Sequence, residues 1–198
     1  MNQMTSQYAA HEVIVMNEAL MTKSANVEVL SFLSAQVQDP SLQNMLSQHV
    51  QLIHNHYIQG VSILQGQHGG SHFTNPSYQS TMQGQPQLGL RNPSMPSPNP
   101  SAAMPSERSI CTVALNIYKF GAIGWTTFAL ECTHPQFRNF LMTGANMCDK
   151  MAYDIWSFMN QKGYYQVPTL QENTTQSMIQ AYQPVQPMQM MRGMDNYQ

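Results

Sequence analysis

"HPQFRNFLMTGANMCDKMAYDIWSFMNQKGYYQVP", residues 134–168, contains the start, body and end of one helix. Phe137, Leu141, Gly144, Cys148, Ala152, Ile155 and Met159 recur at three- and four-residue spacing, the stripe of a helix with one face on a core. Pro135 suits the first helical position, where no amide hydrogen is needed. At the other end, Lys162 complements the negative pole of the helix dipole and Gly163 can take the left-handed conformation that closes a helix. Pro168 then forbids an immediate restart. The spacing predicts a helix over 136–161. It does not explain the paired Tyr164 and Tyr165 just beyond its end.

Working outward, three more helices emerge. Residues 107–132 carry Ile110, Ala114, Ile117, Gly121, Gly124 and Phe128 on one stripe, with the two glycines thinning that face. Residues 41–65 carry Leu42, Leu46, Val50, Ile53, Tyr57, Val61 and Leu64, after an Asp39-Pro40 step that pairs a good N-cap with a good first residue. A first helix over 8–36 has a stripe interrupted by Lys23 and Asn26. Between the pairs, residues 66–106 are dense in Gly, Pro, Ser, Gln and Asn, and Pro93, Pro96, Pro98, Pro100 and Pro105 exclude regular helix near their end.

The two pairs repeat at an offset of 95 residues, which places Pro135 on Pro40, Asn139 on Asn44, Leu141 on Leu46, Ala114 on Ala19 and Glu107 on Glu12. Repetition of a helical hairpin implies an all-α, antiparallel four-helix bundle, ferritin-like, with a long crossover linker. The expected parts are an N-terminal hairpin (8–65), a flexible linker (66–106), a C-terminal hairpin (107–170) and a flexible Gln/Met-rich tail (171–198). Ile53, Tyr57, Ile117, Phe128, Leu141, Cys148 and Ile155 are expected in the core.

Composition narrows the function. Charged residues are 9% of the chain, against about 25% in an ordinary soluble domain. The net charge of −2 gives no electrostatic footprint for nucleic acid or an anionic membrane. No apolar run approaches the roughly 20 residues of a membrane span, and the first residues lack the basic and apolar regions of a signal peptide. Seventeen Met suit adaptable packing and contact surfaces. Cys111 and Cys132, on one helix, stand roughly 30 Å apart and cannot bridge within it, so buried free thiols are expected.

No catalytic, cofactor-binding or metal residue is assigned. A di-iron site in such a bundle needs a Glu on each of two helices and a Glu-x-x-His on each of the others. The helix over 41–65 has no Glu or Asp, and neither Asp149 nor Asp154 has a His three residues on. His49 and His56 share one face of their helix, with His54 turned away; a pH-sensitive or metal-binding pair is one reading, and packing or hydrogen bonding beside the core stripe is the favoured one. Cys148 sits on an apolar stripe, where a structural thiol is expected. "GAIG" at 121–124 lies in a helical pattern and is no phosphate loop.

The C-terminal hairpin resembles the Coat F domain of spore coat proteins. The residues that carry the resemblance are Ala129, Leu130, Glu131, Cys132, Pro135 and Arg138 at the turn, and Met159, Asn160, Gln161, Lys162, Gly163, Tyr164, Tyr165 and Pro168 at the end. Tyr164 stands where an indole is common. "VQDPSLQNML" in the N-terminal hairpin resembles the partner half of longer members. The resemblance implies a non-enzymatic structural component of the endospore coat, made in the mother-cell cytoplasm and deposited around the forespore. Its partners would be other coat proteins and further copies of itself, with no cofactor. A ferritin-like metal-binding protein or oxidase, or a cytoplasmic helical adaptor, are the alternatives. Gln side chains, Tyr182 and Tyr197, with Lys150 or Lys162 as amine partners, are the candidate cross-linking residues. Tyr164 and Tyr165 either fold back along the bundle or open the interactive tail, and an aromatic role shared by the family favours the first.

Overall fold

Pro and Gly punctuation sets the helix ends in the computed structural model, which describes residues 8–66 and 84–184. The helices are α1 (Ala10–Ala35), α2 (Pro40–Leu64), α3 (Glu107–Glu131), α4 (Pro135–Gln161) and a short α5 (Glu172–Gln180). Asp39 caps α2 by accepting from the Ser41 and Leu42 amides, and the Ser106 side chain accepts from Ser109 at the start of α3. Both second helices end on a left-handed glycine, Gly66 (φ +66°) and Gly163 (φ +75°).

Turns of a few residues force α1–α2 and α3–α4 into antiparallel hairpins, which pack with α1 beside α3 and α2 beside α4. His11 at the start of α1 meets the Glu131 carbonyl at the end of α3, 2.9 Å away, so these two helices also run antiparallel. Leu64 and Glu107 therefore stand at opposite ends of the bundle, joined by a long connection. Met16, Leu30, Leu46, Ile110, Phe137 and Leu141 are fully buried among the four helices. At about 2–3 kcal/mol for each large apolar side chain, this interior supplies most of the drive to fold.

The observed core differs from the expected one in a regular way. Ile53, Leu141, Cys148 and Ile155 are buried, but Tyr57, Ile117 and Phe128 are only partly so. On α3 the face against the core is Cys111, Leu115, Tyr118, Trp125 and Ala129, with Ile110 and Ala114 buried at its start; further along the expected stripe Gly121 lies against Cys148 of α4, and Ile117, Gly124 and Phe128 line the edge beside α1. On α2 the interior positions include His49, His56 and Gly60. Lys23, expected as an interruption of α1, lies inside at 3% exposure.

Two segments expected to be flexible carry structure. Residues 84–106 contain no helix, but 87–95 are hydrogen-bonded to the end of α4, to the turn beyond it and to Arg108. The tail begins with α5, none of whose residues is buried. Residues 67–83 of the linker and 185–198 of the tail, with Tyr197, lie outside the described residues.

Candidate functional site

The site built most deliberately is the junction between the hairpins. Glu12 on α1 reaches across to the α3–α4 turn, where Oε1 accepts from the amides of Thr133 (2.5 Å) and His134 (2.6 Å) and from the Thr133 hydroxyl (2.9 Å). Its Oε2 accepts from the Ala9 amide at 3.2 Å, which satisfies one orphan donor of its own helix. Burial alone would raise the pKa of this carboxyl, but the bonds from His134, Thr133 and Ala9 outweigh it and hold the value at about 2. Glu107 on α3 does the reciprocal work at the other end: its Oε1 accepts from the amides of Gln38 (3.1 Å) and Asp39 (2.8 Å) in the α1–α2 turn. The offset that carries Glu12 to Glu107 also carries Gln38 to Thr133 and Asp39 to His134. Each hairpin thus caps the other's second helix.

Midway along the bundle, His49 of the first hairpin is buried between two residues of the second. Its Nδ1 lies 3.1 Å from the Tyr118 hydroxyl and its Nε2 lies 3.4 Å from Asp154 Oδ2, all three side chains at 0% exposure. A neutral imidazole satisfies both contacts when Nε2–H donates to the carboxylate and Nδ1 accepts from the phenol. Burial lowers the His49 pKa against the opposing pull of Asp154. Burial likewise pushes the Tyr118 phenol well above its ordinary value. The triad resembles a proton relay in composition, yet it has no exposed face on which to meet a substrate. His56, one helical face along, stacks on Phe140 with ring centroids 4.1 Å apart. Among the described residues its ring nitrogens have no hydrogen-bond partner. Its pKa falls to about 2, first through burial and then through the charge of Lys23. Both histidines pack in the core, the favoured reading of the sequence, and His54 is exposed.

The end of α4 forms a third joint, and it explains the tyrosine pair. Gly163 and Tyr164 donate back to the Asn160 and Met159 carbonyls at 3.1 and 2.8 Å, the two bonds of a left-handed helix terminus. The chain turns back on itself, Tyr164 packs partly buried on the core, and Tyr165 lies edge-on to Trp156. Asn160, fully buried, then ties the turn to the preceding connection: Oδ1 accepts from the Gln87 amide at 2.7 Å, and Nδ2 donates to the Gln87 and Tyr165 carbonyls at 3.0 Å each. Arg91 pairs with the Gln166 side chain through its own amide and carbonyl, and Gly89 donates to the Val167 carbonyl at 2.9 Å. Lys162 reaches the α2 cap residue Asp39 at 2.6 Å, holding that carboxyl well below the usual carboxylate range. Sequence reading missed Asn160 and Gln161 as fastening residues. The available signal was a run of amides, Asn160-Gln161, where the apolar stripe of α4 ends.

Cys111, Cys132 and Cys148 are buried free thiols, and burial pushes Cys111 up to about 12, far from the thiolate a nucleophile needs. Among the described residues no group of three or more His, Cys, Asp or Glu could hold a metal ion, and no helix is long and apolar enough to cross a membrane.

The architecture is that of a four-helix-bundle-like protein made from two helical hairpins. Its second hairpin is a Coat F domain: residues 106–168 match the model of that family, from the start of α3 to the proline after the tyrosine turn. A small, mostly helical domain of this family is consistent with a non-enzymatic structural component of a spore coat. The fold is similar to the crystal structure of a conserved hypothetical protein from Mycobacterium tuberculosis, at 14% identity and a TM-score of 0.52, covering 74% of this chain and 96% of that one. No curated protein matches the chain.

Proposed function

We propose that this chain is a building block of the bacterial endospore coat, in which the paired hairpins form a ferritin-like bundle and segments outside it make contacts with other coat proteins. The observation that carries this reading is the Coat F match over 106–168, which ends on the joint fastened by Asn160 and Gly163. Such a role needs a rigid unit. The reciprocal Glu12 and Glu107 caps and the closed His49–Tyr118–Asp154 centre supply one. Synthesis would occur in the mother-cell cytoplasm, followed by deposition around the forespore. The tail, 171–198, is assigned to incorporation, with exposed Tyr182 as one contact and candidate cross-link.

The test is fractionation of intact and decoated spores. The full chain is expected in the coat extract and depleted from decoated spores, while a chain lacking 171–198 folds with the same helicity but is extracted more easily. Equal resistance to extraction would remove the tail from the account. Absence of the protein from the coat, or stoichiometric iron or manganese in the purified chain, would overturn the reading as a whole.

A further inference from the structure

The edge between α1 and α3 carries an open groove. Gly124 thins α3 there, since a Cβ added to it would meet no atom within 4 Å. The result is a groove of about 320 Å³ lined mainly by Ile117, Phe120, Gly124, Trp125 and Phe128, with Asn26 on the α1 side. Phe120 stands at the rim, 70% exposed. Asn26, Ile117 and Trp125 are shared with an inner recess of about 10 Å³ that is also lined by Lys23 and Cys148, which is room for about one water.

Lys23 makes this groove more than an apolar slot. It is 3% exposed, and its Nζ lies 4.3 Å from the centre of the Trp125 ring. Among the described residues it has neither a carboxylate partner nor a hydrogen bond. Burial brings its pKa down to about 8, against a smaller opposing pull from Cys148. At neutral pH most of the population still carries the charge, in a place where a charge without a counter-ion costs several kcal/mol. The Trp125 face returns only about 2 kcal/mol of that. A cation so placed is an unfilled half of an ion pair.

We propose that the α1–α3 groove binds a small apolar carboxylate, its hydrocarbon or aromatic body lying along Ile117, Phe120 and Phe128 and its acid group at the mouth of the recess, with one oxygen taking the place of a water beside the Lys23 ammonium. Volume and chemistry both narrow the ligand. A groove of 320 Å³ is at the small end of ligand sites, about 300–1,000 Å³, which suits a short acyl or single-ring acid. The recess offers one cationic donor, no arginine fork and space for about one oxygen atom, so it suits one oxygen of a carboxylate and falls short of the several donors a phosphate group demands.

The test uses the full chain carrying Trp156→Phe, so that Trp125 is its sole indole. Titration with octanoate is expected to give a saturable change in Trp125 fluorescence, and 1-octanol to bind about tenfold more weakly or worse. Lys23→Met should abolish that preference for the acid, and Gly124→Leu, which fills the groove, should weaken both probes. The octanoate–octanol comparison on the parent chain stands even if a variant fails to fold. No saturable change with octanoate, equal binding of acid and alcohol, or undiminished octanoate binding by folded Lys23→Met would each overturn the proposal.

Discussion

Where α3 hands over to α4, Glu12 of the first hairpin holds the amides of Thr133 and His134; at the far end of the bundle Glu107 of the second hairpin holds those of Gln38 and Asp39. Halfway between these joints the correspondence fails. The offset that relates the glutamates sets His49 against Gly144, Lys23 against Tyr118 and Gln59 against Asp154. The ends therefore make the hairpins interchangeable in form, while the centre makes them unequal. Facing a second copy of itself, the Coat F hairpin would bury Asp154 and Tyr118 with a glycine in place of His49. Leaving buried polar groups without their hydrogen-bond partner costs about 1–3 kcal/mol, so the polar centre favours a pair made of one hairpin of each kind.

The largest effects should come where the hairpins are equivalent. Leu46 and Leu141 are related by the offset and both are fully buried. Each change to Ala is expected to cost about 2–5 kcal/mol, with the two values alike, as read from urea unfolding at pH 7. A loss below about 1 kcal/mol at one site only would mean that the two halves do not share one core.

The glutamate joints come next, and here a difference is expected. His134 contributes no side-chain cap to α4, so among the described residues Glu12 is the side chain that serves the Thr133 and His134 amides. Asp39 caps α2 with its own carboxylate, and Glu107 supports it from a half-exposed position. Glu12→Gln should cost about 1.5–3 kcal/mol and Glu107→Gln no more than about 1 kcal/mol. The Glu12 effect should also depend on pH. Its folded pKa of about 2 lies below the unfolded value, so its contribution is complete above the ordinary carboxylate range and is lost as pH falls toward 2. His56 erodes stability from higher pH: it stays neutral in the fold with a pKa of about 2, so stability declines once pH drops below about 6.5. His56→Leu should flatten that decline, and unfolding midpoints across pH 7 to 3 would separate the two groups.

How much of this was legible in the sequence follows from the range of each signal. The four helices and their ends depend on local spacing, Asp39-Pro40, Gly66 and Gly163, and were readable to within a residue or two. The rotation of α3 about its axis was not. Ile110 and Ala114 belong equally to a stripe through Ile117 and Gly121 and to one through Tyr118 and Trp125, and α1 and α4 decide which faces inward. Lys23 and Asp154 were hidden for another reason: a charged residue reads as an outward position unless its surroundings are known. Asn160 was hidden because its partner, Gln87, is distant in the chain and carries no periodic signal of its own.

The smallest effects should distinguish the two helix ends. Gly66 and Gly163 both have positive φ, and a Cβ at either meets nothing closer than the Tyr8 hydroxyl, 3.9 Å from Gly66. Alanine there is penalised by backbone conformation alone, about 1 kcal/mol at each site. At Gly163, however, the left-handed turn also aims Tyr165 so that its carbonyl meets Asn160, which in turn holds Gln87. A small displacement at Gly163 therefore loosens the chain around Arg91, whereas the same change at Gly66 has no such lever. Gly163→Ala should give the same modest loss of stability as Gly66→Ala and, in addition, faster tryptic cleavage after Arg91. Equal cleavage in the two variants would show that the tyrosine turn and the docked connection are held independently, and that the Coat F hairpin ends in a cap with no further task.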